Sequence, residues 1–194
     1  MKMNRWIVSF SLIVIIFGVV WVMYMKPTLN IDVDLELAGV KYQLGSEGTM
    51  EPATVVIQGK LHTNLKGERV FTGVVQVVGE EIPVPQDQRK VEIRFSGDGW
   101  GSIAYPYFIY DERGAAKDAK IYHSHSIFAN KDFSQVALLL KTPGQQSDPE
   151  GGNPQALWNS ENGMMLSAPA STREEALALS NKLMVEFLKG KQLE

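Results

Sequence analysis

Residues 6–25, WIVSFSLIVIIFGVVWVMYM, are 20 consecutive residues without a charged side chain. At about 1.5 Å of rise per residue, such a helix crosses a hydrocarbon core of about 30 Å. A soluble helix of that length normally carries a polar stripe, and this run has none. Trp6 lies at one end and Trp21 with Tyr24 at the other, where interfacial aromatics are expected. A cleaved secretory signal has a shorter apolar stretch, of about 7–15 residues, and small residues at its cleavage site. Here the run ends in VMYMKP, which favours a retained signal-anchor. Lys2 and Arg5 precede the span and Lys26 alone follows closely, so the expected orientation is N-terminus inside, C-terminal domain outside.

The rest of the chain has the bulk properties of one globular domain. The full chain is 44% hydrophobic and 21% charged, a globular rather than a disordered composition. Lys2, Arg5 and Lys26 are the only charges in residues 1–26, leaving 16 basic against 22 acidic groups beyond them. An acidic domain does not offer nucleic acid a broad basic face, so no nucleic acid partner is expected. The absence of cysteine removes disulfides, thiolate nucleophiles and zinc fingers together.

Period-two alternation marks the strands. In IDVDLELAGVKYQL, Ile31, Val33, Leu35 and Leu37 alternate with Asp32, Asp34 and Glu36, which places the acids on a solvated face. Further strands are expected at residues 54–62, 70–78, 90–97, 102–110, 119–128, 135–140 and 163–169, divided by turn-forming stretches such as GDGWG, DERGAAKD and ANKDFS. Short strands in succession, with no helical pattern between them, argue for antiparallel sheet. Ser171 with Glu174 reads as a capping box, and Ala176, Leu179, Leu183, Met184 and Phe187 recur at helical spacing until Gly190. The fold class expected is therefore α+β: an antiparallel β-rich domain with one C-terminal amphipathic helix, preceded by a single N-terminal transmembrane helix. Its parts are a cytoplasmic N-terminus (1–5), the span (6–25), a short linker (26–30) and an extracytoplasmic domain (31–189), with a mobile loop at 142–163 and the helix at 172–189.

Chemistry is harder to find. His123 and His125 are two apart in a predicted strand, which puts both imidazoles on one face and suggests a metal site. A site needs a third protein ligand; His62 is distant and has no linking spacing, and Asp111, Glu112 or Asp118 could complete a site if the sheet brought them near. Histidines on a solvated face are the plainer reading. Asp32, Asp34 and Glu36 lack the glycine and the closing glutamate of a calcium loop, and no nucleophile elbow, Ser-x-x-Lys pair, H-E-x-x-H or phosphate-binding loop is present. Tyr105 and Tyr107 share one face with Ile103 and Ile109, Phe108 and Tyr110 share the other, and Trp100 precedes them. Trp100, Tyr105, Tyr107 and Trp158 are thus candidates for stacking on a sugar ring or a peptide.

The segments FTGVVQVVGEEIPVP, GWGSIAY, FANKDFSQVALLL and LSAPASTREEALALSNKLM, within residues 54–188, resemble uncharacterised small single-pass membrane proteins of endospore-forming Gram-positive bacteria. That resemblance implies a cell-envelope location and a β-rich domain ending in a helix, and it brings no catalytic residue. The function expected is a non-catalytic interaction module near the membrane. Its partners would be the lipid bilayer through residues 6–25 and an envelope protein or cell-wall polymer, with no cofactor. The alternatives are a cell-wall carbohydrate-binding module and a metal-dependent hydrolase using His123 and His125.

Overall fold

The computed structural model describes residues 29–46, 48, 50–64, 66–140 and 158–194. The expected span at 6–25 and most of the expected loop at 142–163 lie outside these residues. Among the described residues no helix is long and apolar enough to cross a membrane.

The described residues form eight strands: β1 (Leu29–Gln43), β2 (Met50–Thr63), β3 (Arg69–Val77), β4 (Val91–Phe95), β5 (Trp100–Tyr110), β6 (Ala116–Ala129), β7 (Val136–Leu140) and β8 (Met164–Ala168). Alternation explains them locally. In β4, Val91, Ile93 and Phe95 are buried while Glu92 and Arg94 are exposed; in β1, Asp32, Asp34 and Glu36 face solvent as expected. Each strand pairs antiparallel with its neighbours in the order β4-β3-β2-β1-β8-β7-β6-β5. Two four-stranded meanders are therefore joined by the β1–β8 pairing, which sets Val40 opposite Ser167 and Gln43 opposite Met164.

The single sheet curls until its edge strands meet. At the β4–β5 turn, Ser96 N–H donates to the Trp100 carbonyl at 2.8 Å, and the Gly101 backbone lies so near Ile93 that a Cβ there would stand 2.5 Å from its Cγ2. Inside, the Tyr105 hydroxyl reaches from β5 to donate to the Val75 carbonyl on β3 at 2.9 Å. The result is a nearly closed antiparallel barrel whose interior is filled by Ile57, Leu61, Phe71, Ile93, Ile127, Leu138 and their neighbours. Chain direction defines two ends. The entry end holds the start of β1 and the β2–β3, β4–β5 and β6–β7 turns; the far end holds the β1–β2 turn, the β3–β4 loop and the tip of the β5–β6 hairpin.

Outside the barrel, α1 (Arg173–Leu183) and one further turn, α2 (Val185–Leu188), cover β1, β7 and β8. Ala176, Leu179 and Met184 are buried, and Leu183 and Phe187 pack beside them, as the helical spacing predicts. The cap is displaced by one residue from the expected one. Thr172, not Ser171, accepts from the Glu175 N–H at 3.2 Å, and the Glu175 carboxylate accepts from the Ser171 N–H at 2.8 Å. The helix breaks at Met184, whose side chain is buried, and ends in left-handed Lys189 and Gly190.

A buried hydroxyl cluster fixes this helix to the sheet. Tyr42 on β1 donates to Ser180 Oγ at 2.8 Å, and Ser180 Oγ lies 2.6 Å from Ser167 Oγ on β8. All three side chains are buried. Tyr42→Phe removes one hydroxyl and leaves the two serines bonded to each other, so the loss is that of one buried hydrogen bond, about 1–2 kcal/mol. Urea unfolding should show a lower midpoint at unchanged slope.

Candidate functional site

The two histidines of β6 do not share a face. Ser102 pairs with Ser126 and Ala104 with His123, so β5 advances two residues while β6 advances three. The extra residue is a β-bulge, and it inverts the side-chain alternation between His125 and His123. Ile127 and Tyr122 both point into the barrel, the Tyr122 ring stacking on Tyr105 at 6.3 Å. His125 accordingly turns inward, while His123, opposite Ala104, stands on the outer face. The same-face geometry expected for a two-histidine metal site is thereby overturned, because regular alternation fails at a bulge.

The suggested third ligands are elsewhere. Asp111 Oδ1 closes the hairpin tip by accepting from the N–H groups of Arg113 and Ala115, each at 2.9 Å, and Asp118 lies 3.9 Å from Lys120. Glu112 is exposed at that tip, and His62 Nδ1 lies 2.7 Å from Asn30 on the outside of the β1–β2 pair. Among the described residues, no group of three or more His, Cys, Asp or Glu could hold a metal ion.

His125 instead has Glu80, which sequence reasoning missed. Its Nε2 lies 2.8 Å from both carboxylate oxygens, and the imidazole side chain is only 6% exposed. Glu80 begins the β3–β4 loop, whose Ile82 and Val84 pack into the barrel and whose Arg89 donates back to the Val84 and Ile82 carbonyls at 2.7 and 3.0 Å. The pair therefore clamps this loop over the far end, where a cleft of about 890 Å³ is lined by Lys41, Glu51, Glu80, His125 and Asn162 among others. Glu80 is 45 residues from His125, and no local pattern in either segment announces the contact.

Below the cleft, burial first, then the charges of Glu80 and Tyr122, push the Tyr105 phenol up to about 12. The folded protein keeps this proton where the unfolded chain, titrating near 10, has lost it. Stability is thus fully present below pH 10 and falls as pH rises toward 12, by about 1.4 kcal/mol per pH unit for this one group. Burial raises Tyr42 and Tyr122 in the same direction. Denaturation followed between pH 9 and 12 should show that fall, and Tyr105→Phe should make it shallower.

The stacking candidates divide differently from expectation. Tyr105 is 1% exposed and Tyr107 packs against the barrel core, while Trp100 and Trp158 pack in the layer beneath the helix. Trp158 lies against Gly163, where a Cβ would stand 2.4 Å from its indole nitrogen, so it pins the start of β8. None of the four forms an exposed platform.

Among the described residues, a cluster of exposed apolar side chains lies on the outer face of the β5–β6 hairpin. Beyond Tyr105 and Tyr122 these strands become a two-stranded ribbon, exposed along nearly its whole length. Phe108, Tyr110 and Ile121 are 47%, 53% and 62% exposed, with Pro106 paired to Ile121 and the Phe108 and Tyr110 rings 6.3 Å apart. The free backbone edge of β5 is blunted. The Gln88 side chain bonds both the N–H and the carbonyl of Phe108, at 2.7 and 3.2 Å, and Pro106 at the same parity has no N–H to offer. Alternation did place Phe108 and Tyr110 opposite Tyr105 and Tyr107; which pair faced outward was not legible. Compared with known protein families, curated proteins and solved structures, the chain matches none.

Proposed function

We propose that the chain is a non-catalytic interaction module of the cell envelope. Residues 6–25 hold it in the cell membrane with the N-terminus inside and the domain outside, and the outer face of the β5–β6 ribbon contacts a neighbouring envelope protein. The observation that carries this reading is the cluster of Pro106, Phe108, Tyr110 and Ile121 left exposed on a ribbon at the end of the barrel opposite Leu29. Aromatic residues inside a charged rim have the composition of a protein interface core, and Asp111, Glu112, Arg113, Lys117 and Lys120 supply that rim. Because the β5 edge is blunted, contact runs through side chains rather than strand addition.

The test is photocrosslinking in intact membranes from benzoylphenylalanine at position 108 or 121, with position 34 on the outside of β1 as control. One discrete protein adduct from 108 and 121, absent from 34, is the expected result. A chain that yields no adduct but sediments with purified cell wall, losing that on Phe108→Ser, would replace the protein partner with the wall polymer. Neither outcome at position 108 would end the ribbon reading.

A further inference from the structure

The opposite end of the barrel carries a second, differently charged cavity. It has a volume of about 400 Å³ and is lined by Lys66, Glu68, Arg69, Phe95, Gly97 and Lys131 among others. Three cations thus face one acid, and that acid is engaged: Glu68 accepts from Asn64 Nδ2 at 2.5 Å. Asp98 and Asp132 nearby are turned to their own hairpins, Asp98 accepting from Ser96 Oγ and Trp100 N–H, Asp132 from Ser134.

Arg69 is the informative residue. Its guanidinium lies 4.7 Å from the centre of the Phe95 ring and donates to the carbonyls of Ala129 and Asn130, at 3.0 and 2.7 Å. Those two bonds leave the remaining N–H donors of the fork for a ligand. Among the described residues no carboxylate forms an ion pair with Arg69, Lys66 or Lys131. A half-buried cation without a counter-charge is costly, and burial alone pulls this guanidinium below its usual value. Gly97 leaves open space at its Cα, so a ligand can approach the backbone there.

We infer that this cavity binds a phosphate group, seated between Arg69, Lys66 and Lys131. Two sources supply that chemistry, an anionic phospholipid headgroup or a soluble phosphate ester, and position favours the first. Leu29, Thr63, Arg69 and Phe95 lie in register across β1 to β4, which puts the chain's entry about 10 Å from Arg69. Only residues 26–28 separate Leu29 from the apolar run, a reach of at most about 14 Å. The lipid source rests on the proposal that residues 6–25 are held in a bilayer; the phosphate chemistry does not.

The experiment uses the full chain in nanodiscs of phosphatidylcholine alone or with phosphatidylglycerol, following amide exchange at residues 64–69 and 129–132. Slowing in the phosphatidylglycerol discs, lost in Lys66→Ser/Lys131→Ser, is the expected result; a cation near an anionic lipid surface contributes about fivefold in affinity, so the double variant should bind about 30-fold more weakly. Slowing by inorganic phosphate in the phosphatidylcholine discs, with the same loss in the variant, would confirm the site and assign it a soluble ester. Unchanged exchange with both ligands, or binding indifferent to the double substitution, would overturn it. Failure of the chain to remain with the discs counts against the membrane anchor alone, because the phosphate titration reads the cavity on the same chain without lipid.

Discussion

Phe133→Ala should lower the unfolding free energy by about 3–5 kcal/mol, a large part of the 5–15 kcal/mol typical of a domain. Phe133 sits in the turn between β6 and β7, yet its ring is fully buried, plugging the entry end of the barrel. It lies 5.0 Å from the Phe71 ring and edge-on to Phe95 at 5.4 Å, so truncation opens a cavity bounded by strands that cannot close without bending the sheet. Its backbone is unusual as well, with φ at 61°. Asn130 enforces that conformation, accepting from the N–H of Gln135 through its side chain at 3.0 Å and from Phe133 through its carbonyl at 3.4 Å. A Cβ in the left-handed region costs about 1 kcal/mol, which alanine retains and glycine does not. Phe133→Gly should therefore be the more stable of the two variants by about that amount. Urea unfolding of both measures it, and a glycine variant less stable than the alanine one would contradict the turn described here.

The second large effect is expected where β2 and β3 touch through bare backbone. Gly59 and Gly73 are directly paired, and a Cβ on Gly73 would stand 2.1 Å from the Gln58 carbonyl oxygen and 2.6 Å from Gly59 Cα. The reciprocal Cβ on Gly59 would meet Thr72 oxygen at 2.3 Å, and either would meet the tip of the Phe71 ring. These neighbours are mainly backbone, so relief requires parting the two strands and displacing Phe71, which contacts Phe133. Gly73→Ala should cost about 3 kcal/mol or more, at the upper end of overpacking in a core. Gly59→Ala and Gly73→Ala should combine non-additively, since one parting of the strands accommodates both. Thermal melts of the two single variants and the double variant give the comparison.

Strands such as β1 and β4 were legible because each buries one face, and β7, buried on both, because it is a short apolar run. Val91, Ile93 and Phe95 against Glu92 and Arg94, or Leu35 and Leu37 against Asp34 and Glu36, carry their fold in the side-chain period. The helix was legible for the same reason, from Ala176 to Phe187, but its cap was misplaced by one residue and the expected continuous run over 172–189 is broken at Met184. What alternation cannot carry is a break in alternation. The bulge between Ser126 and His123 falls opposite Ser102 to Ala104 of β5, and nothing in KIYHSHSIF marks it. Contacts made at long range are equally silent: β1 with β8, Glu80 with His125, Phe133 with Phe71, and Leu193, which returns to the helix layer through two hydrogen bonds to Asn181. ANKDFS has the composition of an exposed turn, and Phe133 enters the core only because Asn130 turns the backbone inward. For the site, the sequence separated two aromatic faces of β5 correctly, and burial decided that the exposed one was Phe108 and Tyr110.

The absence of cysteine offers a direct test of the proposed setting, because any single introduced thiol is unique in the chain. Arg113→Cys places it at the exposed tip of the ribbon and Asn4→Cys before the apolar run. Intact cells treated with a membrane-impermeant maleimide should label position 113 and not position 4, with all labelled protein in the membrane fraction. Label at position 4 alone, or at position 113 only after lysis, would contradict an outward domain, and labelled protein recovered from the culture fluid would contradict a retained anchor.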